Sequence, residues 1–378
     1  MRTPSYQNAL AVILLAFVSS QLAGCATGGK YAPPEEKVSV GATAWSRNGE
    51  LLAVGGTDRV WVFRTAGFEP VAVIKDIPTD EFLDQKDYRS GYANTLAFTG
   101  PDSLATTGLG AQVTRWHIPS GTLLNKWTMD TVARLVLSIA YDPTSGTLAA
   151  GTSRGQVMTV RPGDDEPPKT LFTPGGAIRD VEFSSNGRYL GALSSARTSQ
   201  LVIWNMQTFQ VELEMSVPPR SVDLDRLDEP GKFLTAGETL VIWEVKEKSR
   251  ETLPEPSLAG QKVGAWSLWT VGIVLAAGAG SASFPDPPRE KQMIPCTRAT
   301  AVSPDGRFIA DMHPGVLKEV IRVLDADTQE EITRLNPRGG HTCDMAFSPD
   351  SNLLLVANPR GASVYDTKTW QATKLKLD

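Results

Sequence analysis

Short apolar segments alternate with polar turns from about residue 38 to the end of the chain, in a pattern that returns eight times. Each unit opens with an apolar strand that ends in a large side chain. A turn rich in Ser, Pro, Asp, Asn and Gly follows, and then a second strand of small apolar residues. Successive units lie about 42 residues apart, a period that indicates a repeat architecture. The large residues that end the first strands are Trp45, Phe98, Tyr141, Phe183, Leu224, Trp266, Val302 and Phe347.

The second half of each unit predicts two further strands. A β-branched strand ends in a large apolar residue and a polar partner, and a more polar strand follows after another turn; examples of the third strand are Val60–Phe63, Leu201–Asn205, Leu240–Glu244 and Ser363–Asp366. Four strands per unit at this period predict an all-β fold, a β-propeller of four-stranded antiparallel blades over residues 38–378. One blade cannot bury both faces of its sheet, so we expect neighbouring blades to pack face to face in a ring.

The number of blades depends on the sixth unit, which is the weakest. Its inner strands are visible around Trp266 and Ile273–Gly278, but its outer half falls in the Pro-rich segment SFPDPPREKQMIPC. Eight blades are favoured by the count of units. Seven is the alternative, in which this region is an insertion.

Three short motifs carry a family resemblance. The turn SPDG at Ser303, the pair Gly340-His341 and the pair Tyr365-Asp366 resemble WD40 and YVTN-like propeller repeats, and the resemblance covers residues 38–378. It implies a propeller that binds other proteins. The third strands depart from the WD dipeptide, and they read Trp116-His117, Trp204-Asn205 and Trp243-Glu244.

The N-terminus predicts export and a lipid anchor. Arg2 precedes an apolar run at Ala9–Val18, which has the length of a secretory signal and is too short to span a bilayer. The run leads to LAGC at Leu22–Cys25, which resembles the lipobox of bacterial lipoproteins. The resemblance implies a signal peptide over residues 1–24 and acylation of Cys25. An ordinary signal peptide with an unrelated cysteine is the alternative.

The segment after the lipobox cysteine indicates how the propeller is held. Residues 25–37 contain Gly28-Gly29 and Pro33-Pro34, and they predict a flexible, partly extended tether. In the lipoprotein family an Asp after the acylated cysteine favours the inner membrane, whereas Ala26 stands here. We therefore expect a lipid-anchored protein of the outer membrane that faces the periplasm.

Charge and cysteine content narrow the function classes. The formal net charge is −5 and no long block of like charge occurs, so the basic face that nucleic-acid binding requires is missing. Besides Cys25 the chain has Cys296 and Cys343, too far apart in sequence for a CxxC-type metal site. An oxidising compartment allows these two to form one disulfide, and the sequence leaves two alternatives open, a bond between Cys296 and Cys343 or two free thiols.

The sequence contains one motif that resembles a catalytic motif, and it is better explained as a structural turn. Gly151–Gly155 matches G-x-S-x-G, but that motif acts only on a strand-to-helix turn, and here it lies between two predicted strands. We predict no catalytic residue, no cofactor, no metal site and no enzyme activity. The expected function is a scaffold for protein–protein interaction at the cell envelope, with unidentified envelope proteins as partners. A propeller enzyme, such as a quinone-dependent dehydrogenase, or a small-ligand-binding protein that uses the central channel is the alternative.

One long connection is a candidate for partner binding. Residues 76–94 join the first two units and mix three aromatic side chains, Phe82, Tyr88 and Tyr92, with acids and bases. Loops of this length in compact domains often carry function. We expect these aromatic residues to contribute to a binding surface, with a plain surface loop as the alternative.

Overall fold

Antiparallel strands account for the regular structure of the residues that can be described. The computed structural model describes residues 40–377 except 57–58, 76, 78–94, 108–110, 130–134, 165–166, 173–175, 196–198, 219–222, 228, 237–240, 247–248, 253–299, 314–319 and 338–341. These residues belong to one compact unit, Val38–Asp378. None of them forms a helix that is long and apolar enough to cross a membrane.

The first sixteen strands form four sheets of four consecutive antiparallel strands each. Sheet 1 contains β1 (Val40–Trp45), β2 (Leu51–Gly56), β3 (Val60–Arg64) and β4 (Pro70–Ile74). Sheet 2 contains β5 (Leu96–Gly100), β6 (Ser103–Thr107), β7 (Gln112–His117) and β8 (Thr122–Thr128). Sheet 3 contains β9 (Val136–Asp142), β10 (Thr147–Thr152), β11 (Gln156–Val160) and β12 (Lys169–Phe172). Sheet 4 contains β13 (Ala177–Phe183), β14 (Tyr189–Ser195), β15 (Gln200–Asn205) and β16 (Gln210–Ser216).

The remaining twelve strands repeat the same arrangement in three sheets. Sheet 5 contains β17 (Asp223–Arg226), β18 (Lys232–Ala236), β19 (Val241–Glu244) and β20 (Ser249–Thr252). Sheet 6 contains β21 (Thr300–Val302), β22 (Phe308–His313), β23 (Val320–Asp325) and β24 (Glu331–Leu335). Sheet 7 contains β25 (Asp344–Phe347), β26 (Leu353–Asn358), β27 (Gly361–Asp366) and β28 (Ala372–Lys374).

The first strands of the seven sheets form the inner wall of a ring. In cyclic order β1, β5, β9, β13, β17, β21 and β25 each contact the next, and β25 contacts β1. The protein is therefore a β-propeller with four-stranded antiparallel blades, as predicted, and the described residues show seven. The region that suggested an eighth blade, within residues 253–299, lies outside the described residues. The two inner strands that flank it, β17 and β21, contact each other directly.

Local hydrogen bonds explain why each inner strand turns back where it does. In sheet 1 the Ser46 hydroxyl donates to Asn48 Oδ1 at 2.8 Å and accepts from Leu51 N at 2.8 Å, while Gly49 takes a φ of 72°. A left-handed residue at this point is needed to close the turn, and glycine takes it without a steric penalty. The same bonding recurs in three further sheets, at Ser184 with Asn186, Ser303 with Asp305, and Ser348 with Asp350.

The hydrophobic core lies between the sheets rather than at the centre of the ring. The cluster between sheets 7 and 1 joins Trp61 and Phe63 to Leu355 and Val364, all at most 2% exposed. Burying an aromatic or aliphatic side chain of this size is worth about 1.5–3 kcal/mol. Because each cluster of this kind draws on two neighbouring sheets, packing of one sheet requires the next.

One glycine tests how closely the sheets pack. A Cβ on Gly151, on β10, would lie closer than van der Waals contact to Ile178 Cγ2 and 2.9 Å from Ile178 Cβ, on the neighbouring sheet 4. Since the β-branched Ile178 cannot move its Cβ away, we expect Gly151→Ala to lower the free energy of unfolding by about 1–3 kcal/mol. Urea unfolding followed by far-UV circular dichroism measures the change.

Gly41 provides the matched control because it also lies in a strand, and a Cβ there would meet nothing within 4 Å. Gly41→Ala should change the free energy of unfolding by no more than about 0.5 kcal/mol. Equal losses in the two variants would contradict this account of the packing between sheets 3 and 4.

Candidate functional site at the inner strands

A recurring side-chain acceptor bridges neighbouring inner strands. In five sheets a residue near the start of the inner strand accepts a hydrogen bond from a backbone N–H on the inner strand of the next sheet. We call these five residues the seam acceptors. They are Thr95 (from Ile139 N, 3.4 Å), Ser138 (from Val181 N, 3.2 Å), Asp180 (from Leu224 N, 2.9 Å), Asp223 (from Thr300 N, 2.6 Å) and Asp344 (from Thr43 N, 2.7 Å).

The inner strands need these acceptors because each is the edge of its own sheet. An edge strand has backbone N–H groups without a partner in the ladder, and a buried unpaired N–H is costly. Carboxylates serve best since they accept several hydrogen bonds. Asp344 accepts from both the amide and the hydroxyl of Thr43 through Oδ2, and from Met345 N through Oδ1. Asp180 accepts in addition from the Ser138 hydroxyl at 2.6 Å.

Two further carboxyl groups stand where the other sheets have alanine. Glu182 and Asp225 each lie two residues after a seam acceptor, and the matching residues are Ala44, Ala97, Ala140, Ala301 and Ala346. The residue after this position is large and apolar in the other sheets, but in sheet 5 it is Arg226. The strand pairing shows this equivalence, since Arg226 pairs with Phe233 in sheet 5 and Phe183 pairs with Leu190 in sheet 4. The assignment of Leu224 to this position from the sequence was therefore wrong by two residues.

Glu182 and Arg226 replace an apolar contact between sheets 4 and 5 by an ion pair. Arg226 Nη1 lies 3.4 Å from Glu182 Oε1, and the two side chains are 50% and 27% exposed. An ion pair this exposed is worth at most about 1 kcal/mol. The pair thus accommodates two charged side chains at the seam without adding much stability.

Five carboxyl groups of the inner strands act on one another electrostatically. We call them the inner acidic group: Asp180, Glu182, Asp223, Asp225 and Asp344. Burial raises the pKa of Glu182 to about 7, with Arg226 opposing the rise and Asp180 adding to it. Burial also raises the pKa of Asp344 to about 7, against the hydrogen bonds from Thr43.

The two carboxyl groups of β17 are the most perturbed. Burial and then the neighbouring Asp180 and Asp225 raise the pKa of Asp223 well above its usual range. Burial raises the pKa of Asp225 as well, followed by repulsion from Glu182, Asp180 and Asp344, with Arg226 opposing. Clustering of perturbed carboxyl groups at one place is typical of functional sites. It makes this end of the inner strands, where they begin, the candidate site.

The sequence contains a signal for this group in the alignment of its repeats. Placing the repeats on their first strands puts RDVEF, VDLDR and CDMAF in the same frame, with an aspartate three residues before the final position in each. A single motif such as Gly151–Gly155 does not lead to this group. That segment is the hairpin between β10 and β11, and a Cβ on Gly155 would overlap the carbonyl oxygen of Gly176.

Most of the predicted site residues lie outside the described residues. This holds for Cys25, for Phe82, Tyr88 and Tyr92, and for Cys296. Cys343, which directly precedes β25, is disulfide-bonded, and the other two cysteines of the chain are both outside the described residues. The pairing of Cys343 with Cys296 stays a prediction.

Comparison with known proteins gives no assignment. No protein-family model matches the chain, and no curated protein matches it. Within the part of the chain that the structure describes, no group of three or more His, Cys, Asp or Glu side chains is placed to hold a metal ion.

Removing a seam acceptor should loosen the ring. Asp344→Ala leaves the amide and hydroxyl of Thr43, a residue only 7% exposed, without their acceptor. We expect a loss of about 2 kcal/mol in the free energy of unfolding, measured by urea titration. Asp344→Asn keeps one carbonyl acceptor and should lose clearly less. An alanine variant as stable as the unmodified protein would contradict the role of the seam acceptors.

The inner acidic group should make stability depend on pH. An acid whose pKa is higher in the folded than in the unfolded chain keeps its proton better when folded, so its contribution is complete below about pH 4 and is lost as pH rises towards 7. We expect the free energy of unfolding to fall between about pH 4.5 and 7. In Glu182→Gln the decrease in the free energy of unfolding over this pH range should be smaller by on the order of 1–3 kcal/mol.

Asp366 is the control for the pH experiment. Hydrogen bonds from Thr369 lower the pKa of Asp366, so its contribution is lost only as pH falls below the usual range for aspartate. Asp366→Asn should leave the slope between about pH 4.5 and 7 unchanged. If Glu182→Gln and the unmodified protein show the same slope, the pKa of Glu182 is not raised.

Proposed function

We propose that this chain is a bacterial lipoprotein whose WD40-like propeller is held at the periplasmic face of the outer membrane and serves as a scaffold for protein–protein interaction. The observation that carries the proposal is the combination, in one chain, of a propeller whose described residues form seven blades with the motif LAGC at Leu22–Cys25 after an apolar run. The first element offers a broad surface. The second supplies a thiol for acylation.

The disulfide at Cys343 supports an extracytoplasmic location. Disulfides persist in oxidising compartments such as the periplasm and are rare in the cytosol. If Cys25 carries lipid, its sulfur is consumed, and Cys296 is the cysteine that remains for Cys343. The lipobox interpretation and the predicted pairing of Cys296 with Cys343 are thus mutually consistent.

The turns of the sheets support the WD40-like assignment. The pairs Ser303 with Asp305 and Ser348 with Asp350 make the same hydrogen bond at the same turn. These residues belong to the Ser-Pro-Asp motifs on which the resemblance rests. In this proposal the repeated motifs are structural, and binding falls to the connections and the outer strands.

Two features favour a scaffold that docks other proteins. The connection at residues 76–94 comes between β4 and β5 along the chain and contains Phe82, Tyr88 and Tyr92. Aromatic residues dominate the energetics of many protein interfaces. The outermost strands also leave large apolar side chains at least 38% exposed: Val71, Leu123, Leu124, Val211 and Ile332.

The anchor can be tested at Cys25. With acyl chains on Cys25, each buried CH₂ adds about 0.8 kcal/mol of membrane affinity, so the full chain expressed in a bacterial host should enter the detergent phase on Triton X-114 partitioning. Cys25→Ser should move it to the aqueous phase and remove the mass of the lipid. Cys296→Ser is the control that keeps the anchor. A native chain that stays in the aqueous phase would contradict the proposal.

The binding surface can be tested at the three aromatic residues. We expect crosslinking in cells to capture at least one stoichiometric envelope protein, and the triple variant Phe82→Ala, Tyr88→Ala, Tyr92→Ala to reduce its recovery at least tenfold. The double variant Leu123→Ala, Leu124→Ala on the outer strand β8 tests the exposed apolar side chains of the outer strands separately from this loop. Unchanged recovery with the triple variant would exclude the loop.

A further inference from the structure

Sheet 2 carries an arginine where the other sheets have an uncharged residue. Arg115 on β7 precedes Trp116, and Trp116 pairs with Leu104 as Phe63 pairs with Leu52 in sheet 1. With the third strands aligned on this pair, the residues that match Arg115 are Val62, Thr159, Ile203, Ile242, Val323 and Val364. Taking a charged group partly out of water costs more free energy than burying Val, Ile or Thr, so Arg115 requires an explanation.

Neutral acceptors hold the guanidinium of Arg115. Its Nε donates to Thr99 Oγ1 and its Nη2 donates to Ser103 Oγ, both at 3.0 Å. Its Nη1 donates to Asn125 Oδ1 at 3.4 Å, and the two hydroxyls bond each other at 2.9 Å. Among the described residues, no carboxylate forms an ion pair with Arg115. The positive charge is thus held by hydrogen bonds without a neighbouring negative charge to balance it.

The side chain of Arg115 faces the space between sheets 2 and 3. Val113, two residues earlier on β7, belongs to the apolar cluster between these sheets, and so does Ala105, which pairs with Arg115. Strand residues two apart point to the same face of a sheet, and so do residues directly opposite each other. Every member of this cluster is uncharged. The neighbouring sheet therefore supplies apolar surface beside the guanidinium and no acid.

The group is accessible at the outermost strand of sheet 2. Arg115 and Asn125, which pair across β7 and β8, are both half-buried. The Nδ2 atom of Asn125 makes no hydrogen bond and is not among the buried polar atoms without a partner, so it contacts solvent. Leu123 and Leu124, just before it on β8, are each 45% exposed. A ligand can therefore approach along β8.

Hydrogen-bond donors are in excess at this site. A guanidinium has five N–H groups, and its three bonds here leave two of them unused. The amide nitrogen of Asn125 adds two more N–H donors. Arginine presents its N–H groups in a planar fork that matches the two oxygens of a carboxylate. The arrangement is therefore suited to an anion with two oxygen acceptors.

We propose that Arg115 and Asn125 bind one carboxylate group, with Thr99 and Ser103 as the positioning residues that fix the guanidinium. A carboxylate has a single negative charge, which balances the single charge of Arg115. A phosphate or sulfate dianion would leave an excess charge partly out of water, which is costly. The carboxylate can belong to another protein or to a free organic acid, and its chemistry at the site is the same. The proposal does not depend on the lipid anchor or on the scaffold function.

Nuclear magnetic resonance of the purified, ¹⁵N-labelled full chain tests the site. The probe is sodium acetate, which replaces sodium chloride at constant pH and ionic strength, and the readout is the side-chain amide signal of Asn125. We expect a saturable shift of this signal with acetate and none with acetamide, which has a similar shape and no charge. Acetamide that shifts the signal as acetate does would overturn the proposal, and so would inorganic phosphate that binds more tightly than acetate.

Variants of Arg115 separate binding from folding. Arg115→Ile introduces the residue that sheets 4 and 5 have at this position, and it should weaken acetate binding at least tenfold because the charge and the N–H fork are lost. It should unfold at the same or a higher urea concentration, since an apolar side chain replaces a partly buried charge. Arg115→Lys keeps the charge without the fork and should bind several-fold more weakly. Unchanged affinity in Arg115→Ile would contradict the proposed role of Arg115.

A control variant and a second probe complete the experiment. Arg360 is an exposed arginine on the turn between β26 and β27, and Arg360→Ile should bind acetate as the unmodified chain does. Loss of binding in Arg360→Ile would contradict the assignment to Arg115. The dipeptide N-acetyl-Leu-Leu with a free carboxylate distinguishes the two sources. Binding at least tenfold tighter than acetate supports a carboxylate of another protein, and equal affinity supports a free organic acid.

Discussion

The architecture of this protein depends on how the inner edge of each sheet satisfies its backbone amides. A four-stranded sheet has two edges, and in a propeller one of them is buried against the neighbouring sheets near the axis. Here a seam acceptor on one inner strand binds a backbone amide on the next inner strand at five of the junctions between neighbouring sheets. Apolar packing between the sheets supplies most of the stabilisation, but these bonds set the relative register of neighbours.

The same requirement explains why charge accumulates at the inner strands. A hydroxyl satisfies one amide, as at Thr95 and Ser138, whereas a carboxylate satisfies its own strand and the next together, as at Asp344. Sheets 4, 5 and 7 use the stronger acceptor. Burial raises the pKa values of these carboxyl groups, and because the inner strands converge, repulsion between the groups raises the values further. The arrangement that fixes the ring thus also gathers carboxyl groups with raised pKa values at one end of the inner strands.

Features that form within one hairpin can be predicted from the sequence, whereas features that depend on contacts between sheets cannot. The turn at Ser46, Asn48 and Gly49 forms within one hairpin, so its pattern was readable and the all-β propeller was predicted with it. The frame of sheet 5 was misassigned because Arg226 is tolerated there only through Glu182, a residue of the neighbouring sheet. The inner acidic group depends on the same contacts between sheets. Only an alignment of the repeats against one another, rather than a search for motifs, could have indicated it.

In the part of the chain that the structure describes, no strand belongs to more than one sheet of the ring. Sheet 1 is built wholly from residues 40–74 and sheet 7 wholly from residues 344–374, and they meet through side chains: Asp344 with Thr43, Trp45 Nε1 with the carbonyl of Ala346 at 2.9 Å, and the apolar cluster around Trp61. In this respect the junction of first and last sheets resembles every other junction. The ring therefore does not depend on which blade comes first in the chain. Circularly permuted versions that begin at a different blade should assemble the same ring.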